Sequence, residues 1–218
     1  MGSSGIELVL LVLTGVGHVV IEVASQGLKG AADSLNQPQH WSNLAACVAW
    51  GTYLVWRAVK TPAILGAWGF RRDGFAASLK VSVALAALAL IPLLVYGKMT
   101  GRLPLPSTFW VVLALYPLWG LAQQFALQGL ITRNLRSLLP VLPQRILGAS
   151  FIFSVAHFPN YRLMVLTFIA GLVFTWVYEK YGNLWAIGLV HGVLGAVAYY
   201  VVLGHDPGAE LLGLLKHA

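Results

Sequence analysis

The chain has 218 residues, of which 58% are hydrophobic and only 10% charged, and its mean hydropathy is +0.77. A soluble domain carries about 25% charged residues, so the composition excludes an ordinary soluble globule and predicts an integral membrane protein. The net charge of +7 comes from basic residues grouped between apolar runs, the positive-inside pattern. No basic stripe with interleaved aromatics is present, which sets nucleic acid aside as a partner.

Taken in order, and at about 20 apolar residues per crossing, the sequence predicts seven spans. They are Ile6–Ala24, Leu44–Val59, Val81–Tyr96, Thr108–Thr132, Ile146–Phe158, Leu163–Tyr178 and Leu184–Leu203; the fifth is short, with Pro140 and Pro143 at its start and Pro159 at its end, so it begins earlier, is tilted or is covered by protein. The fold class expected is therefore all-α, a polytopic transmembrane helix bundle. The N-terminal run lacks a basic n-region and is too long for a signal h-region, so it reads as a retained span. Position 6 is Ile, which argues against myristoylation at Gly2. Cys47 is the sole cysteine; it excludes an internal disulfide and reads as a small buried hydrophobe.

No linker or repeat divides the chain. The expected organisation is one structural unit with N-terminal helices over 1–62, a transmembrane core over 63–203 and a tail over 204–218. The segment Ala63–Ser78 reads as an interfacial loop or short amphipathic helix, with a headgroup-level turn at Arg71-Arg72-Asp73-Gly74. Leu211–Leu215 reads as a short surface helix. The loops after the second, fourth and sixth spans hold Arg57, Lys60, Arg71, Arg72, Lys80, Arg133, Arg136, Arg145 and Lys180. The opposite side holds Lys29, Lys98, Arg102, Arg162 and Lys216. That bias predicts a cytoplasmic N-terminus.

Polar side chains inside a bilayer are costly unless they find partners, so they are functional candidates. The fourth span holds three amides, Gln123, Gln124 and Gln128. Gln124 and Gln128, four apart, stack on one helical face, and Gln123 lies about 100° round from Gln124. The first span carries His18 and Glu22, the fifth Phe153 and His157, and the seventh His191 followed by Gly195. Gly188 and Gly192 would allow another helix to approach closely. Each feature also has a plainer reading. The glutamines could be interhelical glue, His18 with Glu22 a neutralised pair, and His157 and His191 packing residues. Glu179 reads as a headgroup-level charge beside Lys180. A zinc site from His18, Glu22, His157 and His191 is chemically conceivable, but sequence spacing does not bring them together, and no metal or cofactor is expected.

Order and spacing together are more specific. The chain offers Gln123-Gln124-x3-Gln128, then Phe153-x3-His157, then His191-x3-Gly195. This resembles the CPBP family, the type II CAAX prenyl proteases and related bacteriocin-processing, Abi-like membrane endopeptidases, whose motifs are EExxxR, FxxxH and HxxxN. Gly129 is similar to the family's Arg-Gly step, and the flanks Gly66–Phe75 and Gly171–Trp185 extend the likeness. The resemblance implies a CAAX-protease-like bundle in a bacterial inner or cell membrane. It also implies an endopeptidase activity on membrane-associated or prenylated substrates. In the family pattern a glutamate and a histidine activate water, and a second histidine and an asparagine stabilise the oxyanion.

Here both motif glutamates, the arginine and the asparagine are replaced. An amide has no useful basicity, and loss of a positioned general base costs about 10²–10⁴ in rate. Removing the carboxylates also removes the need for a buried arginine, which would otherwise lack a counter-charge. The expected catalytic slots are Gln123, Gln124, Gln128, His157 and His191. Phe153, Gly195, Glu22 and His18 are the expected substrate-side residues, with Gly195 leaving space beyond His191. Two functions stay open. One is a peptide hydrolase with degenerate motifs, in which His157 is the base and Glu22 supplies a carboxylate. The other is a non-proteolytic relative that binds a membrane protein partner, a lipidated peptide or a lipid.

Overall fold

The computed structural model describes residues 3–26 and 38–209; of residues 3, 4, 18, 19, 22–26, 38–40, 42 and 43 it describes the backbone alone. The expected pair His18 and Glu22 and the helix at Leu211–Leu215 thus lie outside the described side chains and residues. Every regular element described is helical. The helices are α1 (Ser3–Gln26), α2 (Pro38–Lys60), α3 (Ile64–Ala67), α4 (Phe75–Met99), α5 (Thr108–Gln124), α6 (Arg133–Leu135), α7 (Leu142–Val155), α8 (Tyr161–Tyr181) and α9 (Leu184–Ala198). A π-helical stretch, Phe125–Thr132, joins α5 to α6, and a second, Tyr199–Leu203, ends α9.

Four described helices are long and apolar enough to cross a membrane: Phe75–Met99, Thr108–Leu135, Tyr161–Tyr181 and Leu184–Leu203. They correspond to the third, fourth, sixth and seventh expected spans. The fifth differs. Helix α7 has 14 residues, about 21 Å at 1.5 Å per residue, which is short of the ~30 Å hydrocarbon core. Pro143 opens it in the first turn, and its chain turns back at residues 156–159. It is a short helix packed on α8.

The chain divides into two compact units, Met1–Ala67 and Trp68–Ala218. In the first, α1 packs on α2, and Tyr53 donates to Glu7 at 3.0 Å while Arg57 donates to Tyr53 at 2.9 Å. Cys47, expected to be buried, is exposed on α2. It lies in an exposed stretch of that helix, among Leu44, Val48 and other outward-facing residues.

The second unit is organised around α9. More than half of its membrane-length window is buried (56%), against 17% for α4. Its closest partner is α5, and glycine is the reason. A Cβ on Gly192 would lie 2.4 Å from Pro117 Cα, one on Gly120 2.4 Å from the Gly192 nitrogen, and one on Gly188 2.8 Å from Leu121 Cα. The backbones touch where side chains would otherwise stand. In lipid, where apolar burial gives little drive for helix association, such contact provides the van der Waals packing. The Gly188/Gly192 surface expected from the sequence is thus the α5-facing side of α9. Phe174, Val177 and Tyr178 of α8 pack with Leu184, Ile187 and Val190 of α9 on another side.

The ends of the bundle are tied by capping. Asn160 caps α8 by accepting the Leu163 N–H at 3.1 Å, and Asn183 caps α9 by accepting the Ala186 N–H at 3.1 Å. Asn183 also donates to the carbonyls of Arg71 (2.6 Å) and Asp73 (3.0 Å). Together with Tyr178 Oη donating to the Trp68 carbonyl at 3.0 Å, this fastens the 68–74 turn to the α8–α9 junction. Trp68, Phe70, Phe125 and Trp185 interlock over it with ring centroids 5.2–5.4 Å apart. A Cβ on Gly129 would fall 2.7 Å from the Phe125 ring, so a glycine after Gln128 lets that ring fold back. Glu179, expected as a headgroup-level charge beside Lys180, is half-buried and pairs with two arginines. It accepts from Arg145 at 2.8 Å and Arg136 at 3.2 Å. A carboxylate can be enclosed there because two guanidinium groups neutralise it and satisfy both oxygens.

Candidate active site

The site begins at the end of α7. The backbone N–H of His157 bonds to Ser154 O at 3.0 Å rather than continuing the α-helical ladder. The Phe153 carbonyl is thereby left for the His157 ring, whose Nδ1 lies 2.7 Å from it. A helix C-terminus leaves carbonyls without intrahelical partners, and a histidine side chain can satisfy one. That is the physical reason for the FxxxH spacing here. It also assigns the tautomer: a carbonyl only accepts, so Nδ1 carries the proton and Nε2 of the neutral ring holds the lone pair.

The second group comes from α5, one turn beyond Gly120. Close approach of the α5 and α9 backbones brings the Gln123 side chain to both histidines. Its Nε2 is 3.5 Å from His157 Nε2, and its Oε1 is 3.1 Å from His191 Nε2. Because His157 Nε2 accepts, the amide nitrogen belongs on that side and the amide oxygen on the other. His191 then donates from Nε2 and holds its lone pair on Nδ1. The result is one directional chain of four groups: His191 donates to Gln123, Gln123 to His157, and His157 to the Phe153 carbonyl. The Phe153 ring stands edge-on to His157 at 4.9 Å and tilted to His191 at 6.0 Å. Phe174 meets His191 edge-on at 5.3 Å. Phe153 therefore braces both rings; it is itself 6% exposed. His191 is buried, whereas Gln123 and His157 are half-buried, so any approach from outside meets those two first.

Gln124 and Gln128 stack as expected, but they face a different neighbourhood from Gln123. Gln128 Nε2 donates to Gln124 Oε1 at 3.1 Å and to Thr175 Oγ1 at 3.0 Å, and Gln128 Oε1 accepts from Thr132 at 3.0 Å. Gln124, Gln128, Thr132 and Thr175 are all fully buried. This network fills the π-helical stretch after α5, a geometry that recurs at functional sites. Of the three amides, only Gln123 reaches the histidines. Thr132 and Thr175, which complete the other network, were not singled out from the sequence; Thr132 lies four residues beyond Gln128, and that spacing was the available signal.

Gly195 does not leave open space. A Cβ there would lie 2.8 Å from the Tyr116 ring; the aromatic ring of α5 occupies the volume beside α9 that the missing side chain vacates. Two polar atoms at the centre are buried without a protein partner among the described residues, His191 Nδ1 and Gln124 Nε2. Also among the described residues, no three His, Cys, Asp or Glu side chains gather where an ion could be held.

Chemically, the arrangement contains one basic lone pair on its accessible side, His157 Nε2, with a neutral amide as its neighbour. No carboxylate stands among the described contacts of either histidine. The centre can donate and accept hydrogen bonds, but the position that bridges the two rings does not take up a proton. No curated protein and no solved structure matches the chain. Residues 105–197 match the family model described as type II CAAX prenyl endopeptidase Rce1-like, and across that stretch, from the start of α5 through most of α9, the resemblance to the CPBP family is borne out.

Proposed function

We propose that this integral membrane protein keeps the CAAX-protease-like centre as a neutral binding site. It holds a hydrophobic or lipidated segment of a membrane-associated partner without hydrolysing it by glutamate-activated water. One observation carries this reading: the Gln123 amide lies between His157 and His191, where the family pattern calls for a proton-accepting carboxylate. The enclosed network of Gln124, Gln128, Thr132 and Thr175 supports it, since neutral groups bond one another where the pattern has a glutamate and an arginine. In this reading the membrane is a bacterial cell membrane, and the bias of Lys and Arg favours a cytoplasmic N-terminus.

The test is restoration in the full chain, reconstituted in proteoliposomes and supplied with prenylated and unmodified hydrophobic peptides. Wild type should show no turnover. Gln123→Glu should gain turnover, because a single substitution there returns the base beside His157. Gln124→Glu alone should not, because its side chain faces the sealed network.

A second reading rests on the 3.5 Å separation of Gln123 Nε2 and His157 Nε2, long for a hydrogen bond. His157 then stays available to deprotonate water, and the protein is a slow endopeptidase. Wild-type cleavage that disappears in His157→Ala would establish this second reading and overturn the first.

A further inference from the structure

Pro159, Asn160, Tyr161, Arg162, Leu203 and His205 line a recess of about 410 Å³, a size typical of small-molecule sites. It lies where two antiparallel spans meet one membrane face, at the start of Tyr161–Tyr181 and just past the end of Leu184–Leu203. Its two basic side chains, Arg162 and His205, have no hydrogen-bond or ion-pair partner among the described residues. The neighbouring carboxylate, Asp206, is already occupied by the hydroxyls of Thr108 and Tyr200, both at 2.7 Å, and by the Ala209 N–H at 2.9 Å. The N-terminus of the 21-residue helix α8 adds positive potential on the same side. Below the recess, Tyr161, Val165 and Ile169 are 69%, 59% and 54% exposed. Spaced four apart, they form one outward stripe along α8.

We infer that this recess is a specific binding site for an anionic phospholipid. The phosphate is held by Arg162 and His205, and an acyl chain lies along the Tyr161–Val165–Ile169 stripe. The level is that of lipid headgroups, where basic side chains attract anionic lipids and tyrosine rings favour the interface. Guanidinium matches phosphate with paired donors. The stripe is what separates a lipid from free phosphate as the occupant, since a soluble anion has no use for it. The site is joined to the candidate centre by a short turn, in which the Asn160 N–H bonds to the His157 carbonyl at 3.0 Å.

The experiment uses the full chain, delipidated in mild detergent and titrated with phosphatidylglycerol or phosphatidylcholine, with bound lipid counted by native mass spectrometry. Wild type should retain phosphatidylglycerol about tenfold or more over phosphatidylcholine, because both carry the phosphodiester but the choline cation offsets its charge beside Arg162 and His205. The double variant Arg162→Ala/His205→Ala should lose that preference, whereas Arg162→Lys, which keeps the charge but not the paired donors, should fall between it and wild type. An unchanged melting temperature in detergent would show that the variants remain folded. No preference in wild type, or an undiminished preference in the double variant, would overturn the assignment. Displacement of phosphatidylglycerol by inorganic phosphate at low millimolar concentration would overturn the lipid as occupant and leave a site for soluble phosphate.

Discussion

Gln123 and Gln124 are neighbours in sequence and opposites in situation. Gln123 is half-buried and spans two histidines from α7 and α9. Gln124 is sealed with Gln128, Thr132 and Thr175 in a network without any ionisable member. The difference comes from a rotation of about 100° around one helix, set against a bundle whose two sides are unlike. Identical amides thus divide into one that is half-buried beside two histidines and one that is enclosed among neutral side chains.

The largest effect should come from removing the approach that creates both regions. Gly192→Ala places a Cβ 2.4 Å from Pro117 Cα, a clash with backbone that no rotamer change relieves, so α5 and α9 must move apart. The melting temperature should fall sharply, and any ligand binding at Gln123 should fall with it. A melt unchanged from wild type would mean that α5 and α9 are not in backbone contact.

Next is charge. Gln124→Glu puts an acid into a fully enclosed neutral network, and an uncompensated buried charge costs about 3–5 kcal/mol. Gln123→Glu faces half-buried surroundings with the His191 N–H already directed at that position, and should be far milder. Thermal melts of the two variants at pH 7 should therefore separate clearly. Equal melts would erase the distinction between the two amides. Adding Gln128→Arg to Gln124→Glu should recover part of the loss by supplying the counter-charge.

A smaller effect is expected from Gln128→Leu, which leaves Gln124, Thr132 and Thr175 each short of a partner. Unsatisfied buried groups cost about 1–3 kcal/mol apiece at most, and ordered water can offset part of this. Stability should drop, while peptide or lipid binding at Gln123 should not change at constant folded fraction.

The smallest concerns pH, away from the membrane interior. Burial works to raise the Asp206 carboxyl, but the hydrogen bonds from Tyr200, the Ala209 N–H and Thr108 outweigh it and hold the group below its ordinary value. A folded pKa lower than the unfolded one contributes stability that is present above the unfolded value. That stability is lost as pH falls through the folded value. Wild type should therefore lose stability on acidification below about pH 4 slightly more than Asp206→Asn does. An identical acid limb in both proteins would remove the role of this group.

Some of the site was legible without coordinates because helical geometry is local. The stacking of Gln124 on Gln128, the displacement of Gln123 and the glycine face of α9 all follow from 3.6 residues per turn. Others were not. Glu179 read as a headgroup-level charge beside Lys180, but its partners, Arg136 and Arg145, come from just past α6 and from α7. Gly195 looked like open space because nothing local fills it, while Tyr116, 79 positions earlier in the chain, does. The fifth apolar run was marked as short by its flanking prolines, but where its helix stops, at Val155 with a turn over 156–159, needed the fold.

Composition and periodicity by themselves determined that this chain lives in a membrane and that it is helical, while the order of its three polar motifs carried the resemblance to CAAX-type proteases. These depend on solvation and on neighbours within two turns, which a sequence carries directly. Only the tertiary structure decided that Gln123 alone joins His157 and His191, that Gln124 and Gln128 turn to Thr132 and Thr175, and that Tyr116 closes the place beside Gly195. Those contacts rest on how near one backbone comes to another, and that distance is set by packing across the whole bundle.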